Sequence, residues 1–231
     1  MAERPVDALV DGGWREIAAI DAALRSGAID EAGWHEAMAN LLRPNYLAAT
    51  TPWAQSGKGG DEADWIAGRR FVVDALDRDG TFLDCGCANG YLLECVPNWA
   101  GARGLRIEPY GLDIVPEFVD LARRRLPRWA DRIWLGNALS WPPPFRFDAV
   151  RVGLEYVPAH RRPDLVGRLL REVVAPGGRL VIGPYTERIA DRATERDVRS
   201  WGHRLAGRVD RPHHDRRVAR RLLWLDAPAG T

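Results

Sequence analysis

Residues Thr81-Phe82-Leu83-Asp84-Cys85-Gly86-Cys87-Ala88-Asn89-Gly90-Tyr91-Leu92-Leu93-Glu94 constrain this chain more than any other stretch. Thr81 to Cys85 is short and apolar, which predicts a buried strand. Tyr91 to Val96 can continue as a helix that Pro97 stops. Between them Gly86 and Gly90 flank a tight turn. Glycine tolerates positive φ and lets backbone N–H groups approach a ligand at the positive end of a helix. A strand, a glycine turn and a helix make the first half of a nucleotide-type pocket at the carboxyl edge of a parallel sheet.

An ordinary strand–helix turn would look the same, so the surrounding pattern has to decide. A dinucleotide fingerprint needs Gly-x-Gly-x-x-Gly, and counting from Gly86 the second and third positions hold Ala88 and Tyr91. A nicotinamide dehydrogenase is therefore disfavoured. Ser56-Gly57-Lys58-Gly59-Gly60 fails as a P-loop, because Gly59 follows Lys58 and no strand precedes it.

The second unit runs from Arg106 to Ile114 as a strand, then from Pro116 as a helix with Phe118, Leu121, Ala122 and Leu126 on its apolar face. Asp113 thus stands at a strand's carboxyl end, 23 residues after Gly90. An acid there can accept two hydrogen bonds from a ribose diol, and it can equally cap the next helix. A third strand, Ile133 to Leu135, leads into Gly136-Asn137-Ala138, and Trp141-Pro142-Pro143-Pro144 is a stiff connector. Phe147 to Val152 is a fourth strand. A helix from Pro163 follows, ended by Pro176-Gly177-Gly178, and Arg179 to Gly183 is a fifth strand.

Leu83-Asp84-x-Gly86-Cys87-x-x-Gly90, Gly111-Leu112-Asp113-Ile114, the loop before the fourth strand and the helix–Pro-Gly-Gly–strand pattern resemble, in order and spacing, the class I S-adenosylmethionine-dependent methyltransferases. The resemblance covers roughly residues 81 to 183. It implies an α/β, Rossmann-like, seven-stranded mixed sheet with a terminal antiparallel hairpin, flanked by helices and preceded by an N-terminal helical cap. The implied division is a cap or lid over residues 1–79 and a core over 80–231.

The cofactor implied is S-adenosyl-L-methionine, leaving S-adenosyl-L-homocysteine. Asp84, Gly86, Cys87, Ala88 and Gly90 would pass beside it, Asp113 would hold the ribose, and Ile114 would lie against the adenine. Asn137 and Ala138 would read the adenine edge. The family more often has Asp where Asn137 stands, but an amide can still accept and donate. Ser56 and Arg69, on a segment that often folds over the cofactor, would close the site, with Arg69 on the cofactor's carboxylate. Residues after the fourth strand face the transferring methyl in that family, which nominates Glu155, Tyr156 and His160 as catalytic. A surface role for His160 and a core-lining role for Tyr156 stay open. No Asn/Asp-Pro-Pro-Tyr/Phe pattern follows the fourth strand, which disfavours a nucleobase amine as acceptor.

Upstream, Val6, Leu9, Val10, Ile17, Ile20 and Leu24 keep helical spacing, with a break at Gly12-Gly13 and a stop at Ser26-Gly27. Asp30 can cap a second helix carrying Trp34, Met38, Leu41 and Leu42, ended by Pro44. These helices could pack against the core or act as a lid. Thr50 to Asp61 is the expected mobile segment, followed by a helix through Trp65, Ile66, Phe71, Val72 and Leu76. Downstream, a helix near Arg188–His203 and strands at Leu205–Val209 and Leu222–Leu225 are expected.

A net charge of +1 supplies no global field for nucleic acid. Arg188 to Arg221, however, holds eleven arginines against five acids. That segment suits either an RNA acceptor or a solvated face of an arginine-rich protein, in which Lys58 is the only lysine. Three thiols, Cys85, Cys87 and Cys95, fit neither a disulfide framework nor a zinc set, and His213-His214 lacks partners at ligand spacing. Acids at the N-terminus and the lack of an apolar run near ~18 residues point to a cytoplasmic, non-membrane protein. The expected activity is in-line methyl transfer to a small-molecule N or O nucleophile. The alternatives are an RNA-directed methyltransferase and a non-catalytic cofactor-binding module. Oligomeric state is not legible.

Overall fold

A computed structural model describes residues 15–57 and 61–229. The Gly12-Gly13 break and Lys58, Gly59 and Gly60 of the glycine-rich segment lie outside the described residues.

Seven strands form one sheet: β1 (Gly80–Cys85), β2 (Ile107–Asp113), β3 (Ile133–Leu135), β4 (Phe147–Val152), β5 (Val174–Arg188), β6 (Gly207–Pro212) and β7 (Val218–Asp226). Their spatial order is β3-β2-β1-β4-β5-β7-β6. β1 to β5 pair in parallel, while β7 is antiparallel to both β5 and β6. The expected mixed sheet with a terminal antiparallel hairpin is thus the observed one.

Alternation along the strands explains why helices cover both faces. Leu83, Val150 and Leu180 are register partners and pack into one apolar cluster. Their neighbours Phe82, Ala149 and Val181 enter a second cluster on the opposite face. Helix α1 (Arg15–Arg25) stops before Gly27, which takes φ 75°. Helix α2 (Glu31–Ala48) begins at Asp30, whose carboxylate accepts from the Gly33 N–H at 2.8 Å. Trp34 Nε1 donates to Asp21 and ties α2 to α1.

Helix α3 (Glu62–Arg69) continues as a 3₁₀ turn through Ala75 into β1, and α4 (Tyr91–Gly101) follows β1. Helix α5 (Pro116–Arg125) follows β2, α6 (Arg162–Arg168) lies between β4 and β5, and α7 (Ala193–Ser200) precedes the hairpin.

Three predicted stops are corrected. Pro44 lies inside α2 and Pro97 inside α4. A helical proline forfeits one hydrogen bond. In α4, Val96 and Ala100 are fully buried on either side of Pro97, so packing carries the helix through. Pro176-Gly177-Gly178 belongs to β5 rather than ending the helix, which closes earlier through a π turn at Leu169–Val173. Gly178 is needed there, since a Cβ would stand 2.7 Å from the Asp148 carbonyl oxygen.

The arginines of the C-terminal stretch are largely tied into the fold. Arg221, 1% exposed, bonds Glu187 and Asp210, and Glu187 also accepts from the backbone and hydroxyl of Thr194. Arg199 and Arg208 share Glu195, and Arg211 pairs with Asp74.

Candidate active site

A cavity of about 540 Å³ opens at the carboxyl ends of the parallel strands, where the strand order reverses between β1 and β4. That volume suits a small ligand. Helix α2 forms one wall through Trp34, His35, Met38, Leu42 and Tyr46, and α1 packs on α2 through Trp34 and Asp21.

The turn after β1 supplies the floor. Gly86 has φ 77°, and a Cβ there would stand 2.5 Å from the Tyr156 ring. Ala88, at φ 48°, is held in the left-handed region by its N–H, which donates to Asp113 Oδ2 at 2.8 Å. Asp113 Oδ1 accepts from the Val115 N–H at 2.9 Å. One carboxylate therefore clamps the glycine turn to the start of α5. Each of its oxygens has a second lone pair beyond that bond, and the residue lines the cavity, where the resemblance places a diol. Burial pushes the Asp113 carboxyl up to about 6, against the pull of the Val115 and Ala88 N–H groups. Ile114 beside it is 39% exposed, an apolar face open to the cavity.

Asn137 and Ala138 also reach the cavity, but the Asn137 amide is already engaged. Its Oδ1 accepts from the Leu139 N–H at 2.9 Å, and its Nδ2 lies 3.2 Å from His35 Nε2. Burial lowers the His35 pKa, so a neutral ring can accept from that amide. Ser56 lines the cavity too, with its hydroxyl spent on the Trp53 carbonyl and Trp65 Nε1. It latches the segment before α3 rather than offering a free donor.

Several nominated residues stand away from the cavity lining. Cys87 is buried with its sulfur against Gly111, and Gly90 caps α4 with its Cα toward Leu126. Their part is to let the turn close. Burial pushes the Cys85 and Cys87 thiols up, which leaves both unreactive. His160, nominated as catalytic, does not line the cavity. It is exposed, outside the cavity, and bonds Glu31 at the start of α2 at 2.9 Å. The 3₁₀ turn after Pro158 points it outward to fasten the covering helix.

Asp84 is buried outside the cavity lining, with Oδ1 held by Arg151. Arg151 Nη1 bonds its Oδ1 at 3.0 Å and the Tyr156 hydroxyl at 2.9 Å, and Arg151 Nε donates to the Gly183 carbonyl at 2.7 Å. Burial raises the Asp84 carboxyl, and the Arg151 guanidinium pulls it back. Tyr156 lines the cavity as expected, and burial raises its hydroxyl so that it stays protonated at neutral pH. Glu155 also lines the cavity. Its Oε2 accepts from the Tyr185 hydroxyl at 3.0 Å, and that hydroxyl in turn accepts from the Leu154 N–H.

Sequence reasoning missed His35, Tyr46, Arg151, Tyr185, Thr186 and Arg220, all of which line the cavity. For Arg151 a signal existed: a charge inside the apolar strand Phe147–Val152 requires a buried partner. Its register partner is Asp84. Tyr185 and Thr186 face the cavity because β5 shifts register between Ile182 and Tyr185, a bulge that no residue pattern announced.

Arg69 reaches the cavity from the end of α3, 5.6 Å from the Trp65 ring centroid. Among the described residues it has no hydrogen-bond or ion-pair partner. Burial, then the nearby Arg151 charge, lowers its pKa, so an anion beside it would be strongly held.

No protein-family model and no curated protein matches the sequence. Solved structures do match the fold. The N-methyltransferase NodS from Bradyrhizobium japonicum, solved with S-adenosyl-L-homocysteine, superposes with a TM-score of 0.59 at 19% identity, covering 82% of this chain and 97% of NodS. A SAM-dependent methyltransferase from Aquifex aeolicus gives 0.54 at 13% identity, over 77% of this chain and 100% of that one. The [4+2]-cyclase SpnF gives 0.58 at 16% identity, over 75% and 84%. The chain has the Rossmann-like fold of the class I S-adenosylmethionine-dependent methyltransferases.

Proposed function

We propose that this protein is an S-adenosylmethionine-dependent methyltransferase acting on a small-molecule nitrogen or oxygen nucleophile. The observation that carries this reading is convergence. Gly86 and Ala88, Asp113 and Ile114, and Asn137 and Ala138 come from separate stretches of chain and meet in one cavity of about 540 Å³.

The residues present fit such a ligand. Asp113 lines the cavity and keeps acceptor capacity after its two backbone bonds, Ile114 offers an uncovered apolar face, and Arg69 is a cation without a hydrogen-bond or ion-pair partner among the described residues. Asp113 would hold a ribose, Ile114 an adenine and Arg69 a carboxylate. When bound, S-adenosylmethionine supplies a methyl group on a sulfonium that departs as a neutral thioether.

The chain's task is then to orient an acceptor and move one proton. Orientation of two reactants in a closed site contributes about 7–11 kcal/mol. Helix α2 and the ring of Tyr156 wall the site, and Arg151 fixes Tyr156. Glu155 is the carboxylate on the β4 side of the cavity, oriented through Oε2 by Tyr185, with Oε1 lacking a partner among the described residues. It would take a proton from an amine or phenol. The engagement of the C-terminal arginines with acids of the same chain supports a small acceptor over RNA.

Incubation with S-adenosylmethionine and a panel of amines, phenols and acids, read as release of S-adenosylhomocysteine, tests the reading. Turnover with at least one acceptor is expected. Tight cofactor binding with no turnover on any acceptor would favour a binding module instead.

A further inference from the structure

Three guanidinium groups line the cavity, and they differ in what they already hold. Arg151 is satisfied by Asp84, Tyr156 and the Gly183 carbonyl. Arg69 has no hydrogen-bond or ion-pair partner among the described residues, only the Trp65 ring. Arg220, with a side chain only 12% exposed, has a single ion pair, to an Asp64 that is 61% exposed and 4.0 Å away. Its five donors make no hydrogen bond among the described residues. A largely buried cation in that condition is expensive unless something else meets it.

Arg220 is also not alone. It is the register partner of Thr186 across the β5–β7 pair, so both side chains project from the same face into the cavity. The Thr186 hydroxyl has no partner among the described residues. A planar donor fork beside a free hydroxyl is a common way to grip a carboxylate or phosphate.

We propose that Arg220 and Thr186 form a subsite for an anionic group, carboxylate or phosphate, on the methyl acceptor, so that the substrates are small organic acids or phosphate monoesters. This rests on the methyltransferase reading, because the cofactor brings one carboxylate and the cavity holds two under-partnered guanidiniums. Their placement separates them. Arg69 ends α3, while Arg220 approaches the same helix at Asp64, five residues earlier and about 7.5 Å along its axis. Arg69 stands on the side of the glycine turn, near Tyr156 and Asp84. Arg220 stands on β7 opposite Thr186, the residue after the Tyr185 whose hydroxyl holds Glu155. The acceptor's anion would therefore anchor one end of the molecule while its nucleophile reaches toward Glu155.

The test is calorimetric binding to the full chain, saturated with S-adenosylhomocysteine. The probes are benzoate, 3-phenylpropionate, hexanoate and phenyl phosphate, each beside its neutral amide or alcohol. At least one acid should bind tenfold or more tighter than its neutral counterpart, and the carboxylate and phosphate arms distinguish the two anions. Arg220→Gln should abolish that preference while S-adenosylhomocysteine affinity stays within twofold of wild type. Arg220→Lys, which keeps the charge without the fork, should restore part of it. Arg69→Gln should instead weaken S-adenosylhomocysteine. Equal binding of acids and neutral partners, or a preference that survives Arg220→Gln, would overturn the subsite while leaving the cofactor reading intact. Failure of wild type to bind S-adenosylhomocysteine would remove both.

Discussion

On the β1–β3 side of the cavity the working groups are the glycine-turn backbone, one carboxylate, one side-chain amide and one apolar side chain, all within three residues of a strand's end. On the β4–β7 side they are long side chains, Arg151, Glu155, Tyr185 and Arg220, drawn from three strands and the turn after β4. The first half is fixed by where the chain turns. The second depends on how side chains hold one another, as Arg151 holds Asp84 and Tyr156 and as Tyr185 holds Glu155. A fold can therefore keep one half and change the other, which agrees with a cyclase and methyltransferases sharing this architecture.

The comparison breaks most visibly at Arg151. Arg151→Met would leave Asp84 buried without its counter-charge, at a cost of about 3–5 kcal/mol in denaturant unfolding. Arg151→Met with Asp84→Asn should be milder than the single change. If the single variant unfolds like wild type, the β4–β7 half is not held together as described. Glu155→Gln should lower kcat about a hundredfold or more while cofactor affinity stays put, provided the acceptor arrives with its proton. A matching loss in cofactor binding would show that the two halves are not separable.

Asp113 sharpens the other half through pH. Its carboxyl is pushed up to about 6 by burial, and its charged form is the one that accepts two hydroxyls. S-adenosylhomocysteine affinity should fall as pH drops through about 6, by about tenfold at pH 5, and Asp113→Ala should flatten the profile. The sign for stability is opposite. A folded pKa above the unfolded value contributes stability that is present below about pH 4 and lost as pH rises through about 6. The smallest effect belongs to His160→Ala, which removes an exposed pair and should change stability by less than about 1 kcal/mol and turnover not at all.

What could be read in advance follows the same division. The glycine turn, Asp113 and the order of parallel strands announce themselves because local spacing encodes them. The cavity's other wall does not, because Tyr185 and Thr186 owe their direction to a bulge and Arg220 owes its position to an antiparallel strand that returns beside β5. The place of His160 outside the cavity lining was illegible for a related reason: proximity to β4 in the chain says nothing of the direction a 3₁₀ turn gives a side chain. Pro44 and Pro97 misled because helix-breaking propensity is local, whereas the burial that overrides it in α4 is not.

Thermal unfolding with S-adenosylhomocysteine, compared between wild type and Asp113→Ala, tests the central claim most directly. At a hundred times its dissociation constant a ligand adds about 2.7 kcal/mol. For a chain of this size that is a rise of about 5–11 °C in Tm. The account predicts that rise in wild type and its loss in Asp113→Ala. No rise with S-adenosylhomocysteine, alongside a rise with NAD, would contradict it.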